Sequence, residues 1–213
     1  MQRTVVLTSS PTADGLSEFV SRIEGKGYDV VRAGTSEELI SLELPPSFML
    51  ISDRTTFLIP EYIYTKANRG AYNIHPSLLP MHPGSYSLFW SCLFGDPYGI
   101  SIHELSPHLD KGDILFQLQI PYSEHQTFRD IYHLTRKHTD LAIEIILDAD
   151  IAGLKFQGIP QPGATSRLHT SRFTKSFIEA LPNGWDTEIY NARKALNGRR
   201  DEVGRVIGED NAC

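Results

Sequence analysis

Asn73 and His75 stand two residues apart in the run Ala71-Tyr72-Asn73-Ile74-His75, and Ser101 and His103 repeat that spacing within Gly99–Leu105. On a strand, residues two apart share a face, so each pair presents its polar side chains together. Asp110 follows shortly after, just before Gly112, at the predicted turn between two strands. An amide donor, an imidazole and a carboxylate in one place are the minimum set for stabilising an oxyanion and moving a proton. Spacing by itself leaves a plainer reading open. Histidines on half-buried strands are often structural, and an aspartate ahead of Lys111-Gly112 is an ordinary turn former.

The elements that must position these residues are legible in the first half of the chain. Short β-branched runs alternate with amphipathic stretches, the pattern of βα units and a parallel sheet. Thr4–Thr8 is the first predicted strand, followed by a helical stripe of Leu16, Phe19, Val20 and Ile23 that Gly25 and Gly27 close. Tyr28–Val31 is the second strand. Thr35 and Glu38 form a capping-box start for a short helix to Leu42, and Phe48–Ser52 is the third strand. Pro60 is placed at the first position of a helix ended by Asn68-Arg69-Gly70, and Ala71–Ile74 is the fourth strand. A helix over Ser87–Leu93 and strands over Gly99–Leu105 and Asp113–Ile120 come next. Thr127 and Asp130 open the longest helix, whose predicted stripe is Phe128, Ile131, Ala142, Ile145 and Ala149, with Leu134 and Leu141 beside it. The expected fold is α/β: a Rossmann-like, open, twisted, mostly parallel sheet with flanking helices. Its site belongs at the carboxyl ends of the strands. The expected division is residues 1–157 as catalytic domain and 158–213 as a C-terminal extension packing on the core or at a dimer interface. Arg199–Cys213 is expected to be mobile.

Composition narrows the partners. With 40% hydrophobic and 22% charged residues, the 213-residue chain can fill an ordinary core, which excludes disorder as its main state. No apolar run approaches the roughly 20 residues of a membrane span. Met1-Gln2-Arg3-Thr4 leads straight into a strand without the features of a signal peptide, so a cytoplasmic location is expected. Cys92 and Cys213 form no disulfide framework and are read as free thiols. A net charge of −6 disfavours nucleic acid and favours small-molecule partners. Five of the eight histidines fall between His75 and His125, but they lack the spacing of a metal site, and no metal is expected.

Asn73-Ile74-His75-Pro76-Ser77-Leu78-Leu79-Pro80, followed by Gly84, resembles the signature of the formyltransferases that use N10-formyltetrahydrofolate. Ser101-Ile102-His103, followed by Asp110-Lys111-Gly112-Asp113-Ile114-Leu115, resembles the second block of that family. The similarity runs from about Phe57 to Leu147 and more loosely over the first 56 residues. The resemblance implies that Asn73, His75 and Asp110 are catalytic. Asn73 and His75 would supply donors to the oxyanion, and Asp110 would hold His75 protonated and take up the amine's proton. Ser101 and His103 would orient these three. It also implies that backbone groups of Phe57, Leu58 and Ile59 and of the Leu105–Leu109 loop, with His108, grip the pterin of N10-formyltetrahydrofolate.

Departures from the family bear on which amine is formylated. Glycinamide ribonucleotide transformylases carry a glycine-rich first βα turn that cradles phosphate, whereas Thr8–Gly15 here has one late glycine and an acid. Methionyl-tRNA formyltransferases add an RNA-contacting domain and a basic residue after Leu-Leu-Pro, where this chain has Met81. The tail is similar to the segment after the core in sugar-nucleotide formyltransferases: Pro160-Gln161-Pro162-Gly163-Ala164-Thr165, Phe173-Thr174-Lys175, and Trp185-Asp186-Thr187-Glu188-Ile189 with Arg193 and Leu196. The plainer reading of that tail is a docking helix whose Trp185 and Ile189 cover the sheet. The favoured acceptor is therefore the amine of a nucleotide-linked amino-deoxysugar, formylated for surface polysaccharide, in an enzyme that pairs as a homodimer. Glycinamide ribonucleotide and a hydroxyornithine side chain remain alternative acceptors, and a folate-binding domain without catalysis is the alternative of another class.

Overall fold

The structure, a computed structural model, describes residues 2–163 and 171–197. The stretch expected to be mobile, Arg199–Cys213, lies outside the described residues, as does Ala164-Thr165 of the tail. Strands β1 (Arg3–Thr8), β2 (Tyr28–Ala33), β3 (Met49–Asp53), β4 (Ala71–His75), β5 (Gly99–Glu104) and β6 (Ile114–Gln119) form one sheet in the order β2-β1-β3-β4-β5-β6. The first four strands pair in parallel, and β5 runs antiparallel to both β4 and β6. A two-sided parallel core explains the unbroken apolar runs of the middle strands. Every residue of β3 is buried, whereas edge strand β6 alternates exposed and covered positions.

Period two divides these runs between two layers. Val5, Leu7, Met49 and Ile51 face a cluster with Phe19 and Ile23 of α1 (Leu16–Gly25), Phe89 of α4 (Ser87–Phe94) and Ile131 of α5 (Phe128–Ile151). Val6 and Leu50 face the other way, toward Leu39 of α2 (Ser36–Ser41) and Ile63 of α3 (Glu61–Tyr64). Each such side chain, once fully buried, contributes about 1.5–3 kcal/mol.

Several expected elements are corrected in detail. The helix after Pro60 is a single turn, with Pro60 as its N-cap rather than its first residue. At α2 the Thr35 hydroxyl accepts from the Glu38 N–H, but the Glu38 carboxylate reaches the Gly34 N–H, so the box closes one residue early. The Thr127–Asp130 box on α5 is complete. Its buried face runs Phe128, Ile131, Thr135, Thr139, Ala142, Ile143, Ile146 and Leu147, while Leu141 is exposed and Ile145 and Ala149 are only half-buried. The predicted stripe skipped the threonines because they are polar. Thr135 is accommodated by donating to the Ile131 carbonyl at 2.6 Å and pairing with the Tyr98 hydroxyl at 2.7 Å.

The tail returns to the helical layer. Trp90 donates to Thr174 on α6 (Ser171–Glu179) at 3.0 Å, and Arg193 on α7 (Ile189–Asn197) donates to the Cys92 carbonyl through Nε at 2.9 Å and Nη2 at 2.7 Å. Ile189, Ala192 and Leu196 join the main core. Trp185, in the turn Gly184–Asp186, stacks on Tyr86 with centroids 6.2 Å apart. Trp185 and Ile189 thus cover the layer of α4 and α5 rather than the sheet itself.

The β5–β6 turn holds the tightest backbone approach relevant to the site. A Cβ on Gly112 would stand 1.8 Å from the Glu104 carbonyl oxygen, so only glycine fits without moving backbone. We predict that Gly112→Ala lowers the urea-unfolding free energy by about 1–3 kcal/mol. Gly25→Ala, whose Cβ meets nothing within 4 Å, should cost nothing and gain up to about 1 kcal/mol as a better helix former. Equal behaviour of the two variants would contradict the close approach.

Candidate active site

The reversal of β5 sets the register of the site. Asn73 pairs with His103 and His75 with Ser101, so the two predicted pairs meet across one antiparallel ladder. The Asn73 Nδ2 lies 3.0 Å from His103 Nε2, and His103 Nδ1 lies 2.8 Å from the Glu104 carbonyl. A carbonyl only accepts, which assigns the His103 proton to Nδ1 and leaves Nε2 to accept from Asn73. His75 is held in the opposite sense. Its Nε2 lies 2.9 Å from the His82 carbonyl, so the proton sits there and Nδ1 turns toward the cavity.

Asp110 closes the group from the β5–β6 turn. It is 7% exposed; its Oδ2 accepts the Gly84 N–H at 2.7 Å and lies 3.5 Å from His75 Nδ1. Its Oδ1 lies 3.5 Å from Asn73 Nδ2 and 3.6 Å from His103 Nε2. Gln161 clamps the same turn, its Nε2 donating to the carbonyls of Asp110 and Gly112, each at 2.8 Å. Burial alone would push the Asp110 carboxyl up, but the charge that the facing imidazoles carry once protonated in acid, with the Gly84 N–H, outweighs it and brings it down to about 2. Burial pushes His75 below the usual imidazole value, against the pull of the Asp110 charge and the His82 carbonyl. The expectation that Asp110 holds His75 protonated is therefore corrected. At rest near neutral pH, the site presents an ionised carboxylate and a bare ring nitrogen 3.5 Å apart, a pair that can take up one proton and share it.

Ten of the eleven residues singled out in the sequence line one cavity of about 760 Å³: Asn73, His75, His103, Asp110, Phe57, Leu58, Ile59, Leu105, His108 and Leu109. Phe57, Ile59 and Leu105 also rest on the smaller core cluster, whereas Leu58 is 75% exposed at the rim. Ser101 is the exception. Its hydroxyl donates to the Ser77 carbonyl at 2.7 Å and accepts from the Leu79 N–H at 2.9 Å and from Gln117 at 2.7 Å. The turn after β4 covers it, so it orients that turn and none of the three catalytic candidates. Among the described residues, no group of three or more His, Cys, Asp or Glu is placed to hold a metal ion.

Sequence reasoning missed His82, Gly84 and Gln161 as groups acting on the site. The φ values give the signal: among the described residues, the four non-glycine residues with positive φ are Arg54, His82, Tyr86 and Asp110. Three line the cavity and the fourth supplies the carbonyl that fixes His75. Each left-handed residue costs on the order of 1 kcal/mol or more, and such strain gathers at functional sites. No sequence pattern marks it.

Residues 42–146 match the family model described as formyl transferase, a span that contains Asn73, His75, His103 and Asp110. Residues 42–146 belong to the formyl transferase family. The formyl transferase domain has curated relatives with different acceptors in their names. A GDP-perosamine N-formyltransferase from Brucella melitensis is 35% identical over 104 residues, 48% of this chain and 40% of that protein. A methionyl-tRNA formyltransferase from Bacteroides fragilis is 32% identical over 144 residues, 66% of this chain and 44% of that protein. This chain thus spans less than half the length of either relative. The formyltransferase PseJ from Anoxybacillus kamchatkensis, solved with UDP-4,6-dideoxy-4-formamido-L-AltNAc and tetrahydrofolate, is 25% identical with a TM-score of 0.72, covering 89% of this chain and 97% of PseJ.

Proton linkage at the site of the formyl transferase domain gives a test. His75 and His82 both lie below the unfolded imidazole value, with burial as the main cause in each. Below about pH 6.5 the unfolded chain binds protons that the folded site refuses, so stability is full above that pH and falls as the medium is acidified. A further loss, from Asp110, begins only below its unfolded value of 3.8. Urea denaturation between pH 7 and 5 should show falling stability with a shallower slope in His75→Asn. Equal slopes would contradict a neutral buried His75.

Proposed function

We propose that this protein transfers the formyl group of N10-formyltetrahydrofolate to the amine of a nucleotide-linked amino-deoxysugar. The observation that carries formyl transfer is Asp110 lying 3.5 Å from His75 Nδ1 in one cavity with Asn73. The likeness to PseJ over 97% of that chain supports the acceptor class.

The chemistry follows from the donors and acceptors present. A neutral amine attacks the formyl carbon, and the carbonyl oxygen takes the negative charge as the new C–N bond forms. One N–H of Asn73 is committed to His103, and the other, held only by a long contact of 3.5 Å to Asp110 Oδ1 at rest, is the one that turns to that oxygen. The amine's surplus proton passes to the Asp110–His75 pair and from there to the folate N10, which leaves neutral as its bond to the formyl carbon breaks. Leu58 at the rim, with Phe57, Ile59 and the Leu105–Leu109 segment, forms the wall assigned to the pterin, and His108 sits in the same segment. His103 positions Asn73 by accepting from its amide. The reaction is assigned to the cytoplasm and to surface-polysaccharide assembly, with a homodimer as the working form.

A transfer-RNA acceptor is the second reading, favoured by the Bacteroides fragilis relative. Against it stand the net charge of −6 and the uncharged Met81 after Leu-Leu-Pro.

Asp110→Asn should lower turnover by about a hundredfold or more while leaving tetrahydrofolate binding nearly intact, the size expected for loss of a general base. Asn73→Ala should lose a similar factor, about a hundredfold, through the oxyanion. Near-normal transfer by either variant would contradict these roles. The acceptor is read by incubating the enzyme with N10-formyltetrahydrofolate and a panel of amino-sugar nucleotides, glycinamide ribonucleotide, hydroxyornithine and charged initiator tRNA. Mass spectrometry should show one added CO on an amino-sugar nucleotide. Addition to another panel member and to none of the sugars would overturn the acceptor class.

A further inference from the structure

Arg54 is the one Lys or Arg among the described residues that line the cavity. It follows β3 with φ 54° and is pinned on one side of its guanidinium. Nε donates to Asp53 at 3.1 Å, while Nη1 donates to the Asp14 carbonyl at 2.8 Å and to the Tyr132 hydroxyl at 3.0 Å. Nη2 is buried and has no hydrogen-bond partner. Asp53 is shared, since Arg136 Nη1 also lies 3.1 Å from both of its oxygens. Two guanidinium groups thus share the Asp53 carboxylate, with Asp140 also acting on Arg136, so Arg54 has no carboxylate to itself. Ser87, the first residue of α4, brings a second unpartnered polar atom, Oγ, to the same cavity.

A half-buried guanidinium with one nitrogen unpartnered is costly when empty and favourable when an oxyanion meets it. We propose that Arg54 is an anion-binding residue that holds a phosphate of the acceptor nucleotide. This deepens the proposed function and rests on it for the identity of the ligand. The placement favours the acceptor over the carboxylates of folate. Arg54 is tied to the first βα turn, its carbonyl accepting from the Ser10 N–H at 3.3 Å and its Nη1 donating to Asp14. The pterin wall lies at Phe57–Ile59 and Leu105–Leu109. The first turn has no glycine-rich cradle and Met81 offers no charge, so the cation for the phosphate comes from the end of β3 instead.

The test uses inorganic pyrophosphate and tetrahydrofolate as separate probes in calorimetry on the full chain. Wild-type protein should bind pyrophosphate, Arg54→Gln should bind it at least about tenfold more weakly, and Arg54→Lys, which keeps the charge but not the planar fork, should fall between. All three should bind tetrahydrofolate within about twofold of one another, and KM for an amino-sugar nucleotide should rise in Arg54→Gln while kcat changes by less than about threefold. Pyrophosphate affinity unchanged in Arg54→Gln, no pyrophosphate binding by wild type, or a loss of tetrahydrofolate binding in its place would overturn the assignment. Should Arg54→Gln fail to fold, Arg54→Lys decides, and unchanged pyrophosphate affinity there is equally contradictory. Pyrophosphate binding is read without formyl transfer. Binding through Arg54 with no formylated sugar would uphold the anion site and reject the acceptor reading.

Discussion

A buried carboxylate must be met by donors or give up its charge, and the site of this protein is organised around that requirement at Asp110. The Gly84 N–H at 2.7 Å is its short donor and the Asn73 amide stands at 3.5 Å, while the two imidazole nitrogens within 3.6 Å are bare at rest and meet it as donors only once protonated. These partners come from three elements other than its own turn: Asn73 and His75 from β4, His103 from β5 and Gly84 from the turn before α4. The low value of the carboxyl depends on groups from several elements, which makes it sensitive to errors in this part of the fold.

The fold answers that demand with backbone rather than with further charge. Reversing β5 puts His103 beside Asn73 and Ser101 beside His75, so one ladder supplies two of the facing groups and anchors the turn after β4. Gly112 lets the next turn press against Glu104, and Gln161 ties the carbonyls of Asp110 and Gly112 from the far side. Asp110 and His82 are both left-handed, a strain of about 1 kcal/mol or more apiece that the surrounding hydrogen bonds must offset. The histidines are thereby set in opposite senses. His103 uses its Nε2 lone pair to hold Asn73, while His75 spends its Nε2 proton on His82 and keeps Nδ1 for the cavity.

Much of this was legible in the residues. Period two put Asn73 with His75 and Ser101 with His103, and the β-branched runs gave the sheet, because both follow from local geometry that a sequence records directly. The role of Ser101 was not legible, since the turn that covers it is fixed by tertiary contacts with Gln117 and Leu79. The protonation of His75 was not legible either, for a related reason. Sequence shows a carboxylate nearby in the motif but not the burial that outweighs it. The threonines on the buried face of α5 broke the apolar stripe for the same reason, because the Tyr98 hydroxyl that satisfies Thr135 lies on another element.

The central claim is the resting arrangement of protons: an ionised Asp110 facing a bare His75 Nδ1, with His103 protonated on Nδ1. Nitrogen-15 NMR of the imidazole rings reads this most directly, because each ring nitrogen reports whether it carries hydrogen. At pH 7 His75 should be neutral with its proton on Nε2, and the His103 ring should carry hydrogen on Nδ1. A His75 imidazolium at that pH, or a His75 ring with its proton on Nδ1 and Nε2 bare, would contradict it.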